Sequence, residues 1–353
     1  MAKSKENTNK SPENKAASPV NRRVSGKPTL KTISEISGLA VPTVSRALND
    51  APDIGAETKK RVRRIADEIG YVPNRAGVRL RTGRTNVISL VLSTEQEMMN
   101  HTARLIASIA GGLRSTPYHL IVTPYFPSEN PMKPIRYLVE TNSADAVIFN
   151  QILPDDPRVE YLMERGFPFA AHGRTIWEKK HAWYDFDNHA FASIGVNRMA
   201  SRGRRKILVI APPTEQNYAK HIIAGVYDAA ADSNVEVILT EAITSDSLHE
   251  AVMAYVTNLL NRDPSIDGIL CASPSATMAA VAGLEAAGRV VGQDIDVFAK
   301  EAIPFLQLFR PKIIAMQEDV RKAGEFLARA AIQAIKQPDA APMQGLDVPL
   351  DEE

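Results

Sequence analysis

Residues 41–49 combine an apolar stripe with a face of small hydrogen-bonding groups. Val44, Ala47 and Leu48 recur at the spacing of one helical face. The opposite side carries hydroxyl groups and one guanidinium, supplied by Thr43, Ser45 and Arg46. Such a face suits phosphate and base-edge contacts in the major groove of DNA, because arginine bonds guanine bidentately and threonine contacts the thymine methyl. A solvated face on an unrelated three-helix bundle is the alternative.

Three short helices must position this face. Thr29 is a suitable N-cap for a first helix that ends at Gly38, and the second helix covers residues 41–49. A third apolar stripe at helical spacing ends before Gly70. The sequence therefore predicts an all-α helix-turn-helix head over residues 29–72.

Charge is divided unevenly along the chain. Residues 1–84 hold 18 Lys and Arg against 8 Asp and Glu, a net +10, whereas the remaining residues hold 24 against 33, a net −9. This asymmetry indicates a polyanion-binding head on an acidic body. Residues 1–28 lack Leu, Ile and aromatic side chains, which predicts a disordered basic tail. Residues 73–84, broken by proline and glycine, are predicted to form a hinge.

Beyond Thr85, short apolar runs alternate with longer helical patterns. The predicted strands are Val87–Leu92, His119–Tyr125, Ala146–Asn150, Phe167–Ala171, Lys206–Ala211, Val235–Leu239, Ile266–Cys271 and Ile295–Phe298. Strand and helix alternating in this way predict βα units and mostly parallel sheets with helices on both faces. Strands this numerous fit two sheets better than one. The expected body is α/β, with two doubly wound parallel-sheet subdomains.

The composition excludes several classes of protein. Cys271 is the single cysteine, so an intramolecular disulfide framework and a multi-cysteine zinc site are ruled out. No apolar run approaches the ~18 residues of a spanning helix, and the N-terminus lacks the apolar block of a signal peptide. We therefore expect a cytoplasmic protein with no membrane partner. Common α/β catalytic and nucleotide-binding motifs are missing, and the seven histidines show no metal-ligand spacing, so neither an enzyme nor a metal or cofactor site is predicted.

The stretch from Leu30 to Arg84 resembles the DNA-binding head of the lactose-repressor (LacI) family. The phrase TVSRALN, the turn Gly-Leu-Ala and the phrase GYVPN stand in the family's order and spacing. The resemblance implies that DNA contacts come from Thr29, Val41, Pro42, Thr43, Ser45, Arg46, Asn49, Asn74, Arg75, Arg79 and Leu80. Arg46 would read a base, and residues 74–81 would fold into a helix on DNA. Leu80 would then wedge into the minor groove at the centre of the site.

Over nearly its whole length, the body resembles the effector domain of the same family, which is related to periplasmic sugar-binding proteins. The motifs DPRVEYLMERGFPFAAHGR, NHAFASIGVNRMASRGRRKILVIAPP and DIDVFAKE carry this resemblance. It implies an effector-binding and dimerisation domain over 85–353, with a ligand in the cleft between two subdomains. The N-subdomain would cover about 85–187 and 319–336, and the C-subdomain about 188–318 and 337–349.

The resemblance also implies particular effector contacts. Lys220 stands where many members place an arginine, and Glu301 stands where an acidic residue commonly accepts ligand hydrogen bonds. The Ala-Lys pair before Glu301 departs from the usual Gly-Phe or Gly-Tyr. The full predicted set is His172, Arg174, Trp183, Asp187, Tyr218, Lys220, Ser273 and Glu301. Ordinary packing or surface exposure is the alternative at each position.

These observations predict a homodimeric, ligand-controlled repressor that binds a pseudo-palindromic operator in double-stranded DNA. The predicted effector is a small molecule, a sugar or sugar-like metabolite by resemblance to the family. Three alternatives stay open: a non-sugar corepressor such as a purine, a stand-alone small-molecule-binding protein, and an α/β enzyme.

Overall fold

The computed structural model describes residues 27–73, 77, 79, 83–94 and 99–351. The chain forms two compact units, Met1–Gly83 and Arg84–Glu353. The first unit is helical in its described part, and the second holds two β-sheets.

Three helices form the head, and their ends follow the local sequence. They are α1 (Leu30–Ser37), α2 (Val41–Leu48) and α3 (Ala56–Glu68). The Thr29 hydroxyl accepts the backbone N–H of Thr32, and Gly38 ends α1 at a φ of 71°, so both predicted caps are confirmed. The core of the head consists of Ile33, Val44, Ala47, Val62, Ile65 and Ala66. The apolar stripes of the three helices thus pack against one another.

The second unit contains eleven strands in its described part. They are β1 (Val87–Ser93), β2 (His119–Tyr125), β3 (Ala146–Phe149), β4 (Phe169–His172), β5 (Ala182–Phe186), β6 (Lys206–Ile210), β7 (Glu236–Leu239), β8 (Gly268–Cys271), β9 (Asp296–Glu301), β10 (Ile314–Gln317) and β11 (Gln344–Asp347). One sheet has the order β11-β5-β4-β3-β1-β2 and the other the order β10-β9-β8-β6-β7. All these pairs are parallel. The predicted pair of parallel sheets is confirmed.

Helices cover both faces of each sheet. They are α4 (Met99–Gly112), α5 (Met132–Glu140), α6 (Pro157–Glu164), α7 (Asn188–Ser201), α8 (Asn217–Ser233), α9 (His249–Arg262), α10 (Pro274–Ala286), α11 (Leu306–Phe309) and α12 (Val320–Lys336). Alternate residues of β1 face α4 and α12 on one side and α5 and α6 on the other. Residues of β6 likewise alternate between α9 and α10 on one side and α7 and α8 on the other. Because both faces of these strands are buried, successive residues are apolar, which explains the continuous apolar runs in the sequence.

One predicted boundary is wrong. The sequence assigned residues 337–349 to the C-subdomain, but β11 in that segment pairs with β5 in the six-stranded sheet. Gln344 lies opposite Trp183, and Asp347 lies opposite Phe186. This edge strand is short and alternates exposed and half-buried residues, so it lacks the apolar run by which eight strands were predicted. Strands β5 and β10 were not predicted either.

Helices α7 and α8 approach closely at a glycine. A Cβ atom on Gly225 of α8 would lie 2.2 Å from the carbonyl oxygen of His189 on α7. The Ser193 hydroxyl crosses the same gap and donates to the Gly225 carbonyl at 3.0 Å. Because backbone atoms form the obstacle, a side chain here would force the helices apart.

We predict that Gly225→Ala lowers the free energy of unfolding by about 1–3 kcal/mol, the usual effect of overpacking a core. Gly111→Ala is the matched control, because Gly111 lies in α4 and a Cβ atom added to it would meet nothing within 4 Å. That control should be neutral or slightly stabilising, since alanine favours helix over glycine. Urea unfolding of both variants tests this, and equal stability of the two would contradict the close contact.

Candidate functional site

The predicted recognition face of α2 is accessible. Val41, Pro42 and Arg46 are exposed or half-buried, as are Thr43 and Ser45. Pro42 lies in the first helical turn, where its missing N–H costs no helical hydrogen bond. The helix therefore turns its hydrogen-bonding groups outward while Val44 and Ala47 fill the core.

Arg46 is paired within the head. Its guanidinium forms an ion pair with the Asp53 carboxylate, and both side chains are about half exposed. Exposed ion pairs are worth only about 0–1 kcal/mol, so a guanine or a phosphate could replace Asp53 at little cost. The pair holds Arg46 beside α2 without removing it from solvent.

Three other predicted DNA contacts lie within the described residues, and two of them form hydrogen bonds with the backbone of the head. The Thr29 hydroxyl caps α1, and the Asn49 amide donates to the Ser45 carbonyl at the end of α2. Arg79 is exposed and has helical backbone. Three members of the predicted set, Asn74, Arg75 and Leu80, lie outside the described residues.

A cavity of about 380 Å³ lies between the two sheets of the second unit. Its walls come from the carboxyl ends of strands in both sheets: His172 ends β4, Asp185 lies near the end of β5, and Lys300 lies near the end of β9. Parallel sheets place ligand sites at this edge. The volume falls in the range of small-molecule sites.

Arg174 joins the two walls of the cavity. Its Nε donates to Asp185 Oδ2 at 2.9 Å, and its Nη2 lies 3.3 Å from Nδ1 of His221 on α8. The Arg174 carbonyl accepts a hydrogen bond from the Asn217 amide at 2.8 Å. Burial raises the pKa of Asp185 to about 6, although the guanidinium works to lower it.

A second ion pair also lines the cavity. Lys300 Nζ lies 2.9 Å from Glu318 Oε2 and donates to Asn188 Oδ1 at 3.0 Å. It also lies 5.1 Å from the centroid of the Phe186 ring, a cation–π contact. Burial works to raise the pKa of Glu318, but the Lys300 ammonium and the nearby histidines hold it well below the ordinary value.

Two histidine rings stack beside Glu318. The His101 and His172 ring centroids lie 5.5 Å apart with planes 12° from parallel. Burial, reinforced by His101, lowers the pKa of His172 to about 4. The His172 ring is therefore neutral at pH 7.

The five-stranded sheet contributes two of the predicted effector contacts to the cavity wall. Their side chains form hydrogen bonds with nearby backbone N–H groups. Glu301 is buried, and its Oε2 accepts the backbone N–H groups of Phe305 and Leu306, each at 3.0 Å. The Ser273 hydroxyl accepts the Ala276 N–H at the start of α10. Both residues line the cavity, so they shape its wall while their side chains hold the local backbone.

Five of the eight predicted effector contacts line the cavity: His172, Arg174, Tyr218, Ser273 and Glu301. The other three do not, which corrects the prediction. Lys220 is exposed, because the helical turn that directs Tyr218 into the cavity directs Lys220 to solvent. The Asp187 carboxylate caps α7 by accepting the Ala190 N–H.

Trp183 is the third correction. It lies two residues before Asp185 on β5, so it faces the same side of the sheet but further from the carboxyl end. Its indole N–H donates to the Glu178 carbonyl at 3.0 Å, and its ring lies 5.5 Å from the Arg174 guanidinium carbon. Trp183 thus supports Arg174 instead of offering a platform to a ligand.

Sequence reasoning missed much of the polar lining. The lining residues that the sequence did not single out include His101, Asp185, Asn217, Lys300 and Glu318. One signal was present: the lysine at position 300 replaces the aromatic residue usual before the family's acidic position. The others come from segments far apart in the chain, so only the fold brings them together.

A helix-turn-helix head followed by an α/β body with a cavity at its strand ends is the architecture of a DNA-binding regulator. Family models agree: residues 29–74 match bacterial regulatory proteins of the lacI family, and residues 196–351 match a periplasmic binding protein-like domain. The chain therefore contains a lacI-type DNA-binding domain followed by a periplasmic-binding-protein-like domain.

Individual relatives support this assignment. The chain is 29% identical to the HTH-type transcriptional regulator AglR of Rhizobium meliloti (strain 1021) over 325 residues, 90% of each chain. It is 26% identical to CelR of Thermobifida fusca over 314 residues, 88% of this chain and 92% of CelR. Both relatives are named HTH-type transcriptional regulators.

Solved structures share the fold. The lac repressor dimer bound to operator has a TM-score of 0.79 at 19% identity, covering 92% of this chain and 97% of that chain. The complex of CelR with cellobiose has a TM-score of 0.67 at 24% identity, covering 92% and 98%. Within the residues that the structure describes, no helix has the length and apolar character needed to cross a membrane.

Because the pKa of Asp185 is raised in the folded state, the free energy of unfolding should depend on pH. Between its ordinary value of 3.8 and about 6, the folded state keeps a proton that the unfolded state has released. The stability that this group contributes is therefore full below pH 3.8 and is lost as the pH rises through 6. Relative to Asp185→Asn, which does not titrate, the wild type should lose on the order of 3 kcal/mol between pH 4 and pH 7.

Urea unfolding at several pH values measures this difference. Asp232→Asn is the control, because Asp232 is exposed and its replacement should leave the pH profile unchanged. A difference between wild type and Asp185→Asn that stays constant from pH 4 to pH 7 would show that Asp185 is ionised throughout.

Proposed function

We propose that this protein is a dimeric repressor whose affinity for a two-fold symmetric operator is set by a small neutral carbohydrate in the cavity of its second unit. The observation that carries the proposal is the charge pairing inside this cavity. Arg174 is paired with Asp185, and Lys300 is paired with Glu318.

That pairing indicates a neutral ligand. A sugar acid or a sugar phosphate needs a cation that the protein has not already neutralised. Among the described lining residues, the lysine and the arginine each have a carboxylate within 3 Å. A charged effector would have to break a buried ion pair, which is costly.

The remaining lining suits a polyol. Amides and hydroxyls offer paired donors and acceptors, from Asn150, Gln151, Asn188, Asn217, Ser245, Ser273 and Ser275. Tyr218 and Phe305 add aromatic surface, and an apolar ring face beside hydrogen-bonding groups is the pattern that a sugar presents. The CelR structure is a cellobiose complex, and a further structural neighbour is named a probable maltose operon repressor, which supports a saccharide.

The head supplies the DNA-reading part. The exposed hydroxyl and guanidinium groups of α2 would enter the major groove, and two heads on a two-fold dimer would occupy two half-sites of one operator. The lac repressor dimer that shares this fold is bound to operator. The effector would act by changing the relation of the two sheets around the cavity, and a coupling of ~4 kcal/mol would change operator affinity about a thousandfold.

The direct test is selection of binding sites from random duplex DNA by the full-length protein at fixed salt, with and without pooled neutral saccharides. The expected result is a palindromic site whose occupancy changes with a saccharide. Binding that shows no sequence preference under any condition would contradict the repressor. A palindrome that responds to purines and not to saccharides would contradict the carbohydrate.

Arg46→Ala should weaken binding to the selected operator about 10-fold or more, because a bidentate base contact is worth about 1–3 kcal/mol. Asp53→Asn should strengthen it a few-fold, since it frees Arg46 from an exposed ion pair and removes a charge that repels phosphate.

Asp67→Asn is the matched control for net charge, because Asp67 is also exposed but lies on α3. Fluorescence anisotropy with labelled operator gives the three affinities. If Asp53→Asn and Asp67→Asn strengthen binding equally, the ion pair with Arg46 has no specific role.

Tyr218→Ala should raise the saccharide concentration for half-response at least 10-fold, because it removes a ring from the cavity wall, while operator binding without saccharide stays unchanged. Tyr227→Ala is the control: Tyr227 lies on the same helix, α8, but is 49% exposed. Operator anisotropy against saccharide concentration measures both. Identical response curves for the two variants would remove Tyr218 from the site.

A further inference from the structure

Three side chains of ligand type meet on one wall of the cavity. His101 comes from the first turn of α4, His172 from the end of β4, and Glu318 from the segment between β10 and α12. The Nε2 atoms of the two histidines lie 3.5 and 4.0 Å from the same carboxylate oxygen, Glu318 Oε1. All three potential ligand atoms lie within 4.8 Å of one another.

We propose that His101, His172 and Glu318 form a binding site for a divalent transition-metal cation, with zinc as the reference ion. Zinc binds imidazole nitrogen and carboxylate oxygen at about 2.0–2.2 Å, so neighbouring ligand atoms of a tetrahedral site lie ~3.3 Å apart. The two distances to Glu318 exceed this value by less than about 1 Å, a change within the reach of side-chain rotation.

The donor atoms converge on one point of the cavity wall, and imidazole nitrogen together with carboxylate oxygen is a donor set that zinc accepts. The near-parallel stacking of the two rings brings both Nε2 atoms to the same side, facing one oxygen.

Glu318 divides its two oxygens between different partners. Lys300 holds Oε2 at 2.9 Å, which leaves Oε1 toward the histidines. Hydrogen bonds and ion pairs from residues that do not themselves bind the metal commonly orient metal-binding carboxylates. The ammonium also disfavours cations held mainly by charge, so two nitrogens and one oxygen should select zinc-like ions over magnesium and calcium.

The site would leave one coordination position open. All three residues line the cavity, so a water molecule or a hydroxyl group of a bound ligand could complete the shell. The cation would join α4 and β4 to the segment that precedes α12. Metal occupancy would thus be a second chemical input at the wall of the effector cavity.

The experiment uses full-length protein freed of metal with EDTA, then titrated with Zn²⁺ by calorimetry and with Co²⁺ by visible absorption. We expect one Zn²⁺ per chain, Co²⁺ bands that Zn²⁺ abolishes, and no competition from millimolar Mg²⁺ or Ca²⁺. His101→Gln and His172→Gln should each lower Zn²⁺ affinity at least 10-fold. His189→Gln, which changes an exposed histidine that pairs with Asp228 on the five-stranded side, should leave it unchanged.

The proposal is overturned if the wild type fails to bind Zn²⁺ or if His101→Gln binds it as tightly as His189→Gln. His101 is one-third exposed, so its replacement should preserve the fold, and the Co²⁺ spectrum of the wild type needs no variant. Metal binding is measured without DNA or saccharide. Its failure would leave the proposed repressor function intact, and an absent saccharide response would leave the metal site intact.

Discussion

The direction of the strands is the constraint on which the rest of the second unit depends. Because the paired strands are parallel, their carboxyl ends meet at one edge of each sheet, and the segments that leave those ends must turn there. Polar residues, which are costly to bury in an apolar core, can be placed at these ends. His172, Asp185 and Lys300 occupy three of them, in two sheets, and so face a common cavity.

Bringing charges into this cavity requires that they be paired. Asp185 and Glu318 are both buried, and an isolated carboxylate in such a place would take up a proton or disrupt the fold. Each has an arginine or lysine within 3 Å, yet the two carboxyls respond differently. Burial prevails at Asp185 and its pKa rises, whereas the ammonium prevails at Glu318 and its pKa falls. The cavity therefore joins a carboxyl that can hold a proton near pH 6 to one that cannot.

The head was predictable from the sequence because its structure is local. Thr29, Gly38 and the stripe of Val44 and Ala47 specify helix ends and a buried face within a few residues. Eight strands followed from apolar runs in the same way, but β5, β10 and the edge strand β11 were not predicted. The last of these exposes alternate residues.

The cavity was predictable only in part because it depends on side-chain direction and on distant segments. Lys220 and Tyr218 are two residues apart on one helix, and only Tyr218 reaches the cavity. No linear spacing connects His101 with Glu318, yet the packing of α4 beside α12 brings them together. Glu318 then lies at a junction: one oxygen contacts the lysine of the five-stranded sheet, and the other contacts two histidines of the six-stranded side. The backbone of Glu318 leads directly into α12, which begins at Val320. The residue that links the two halves of the cavity is thus also positioned to carry a change at one half to the other.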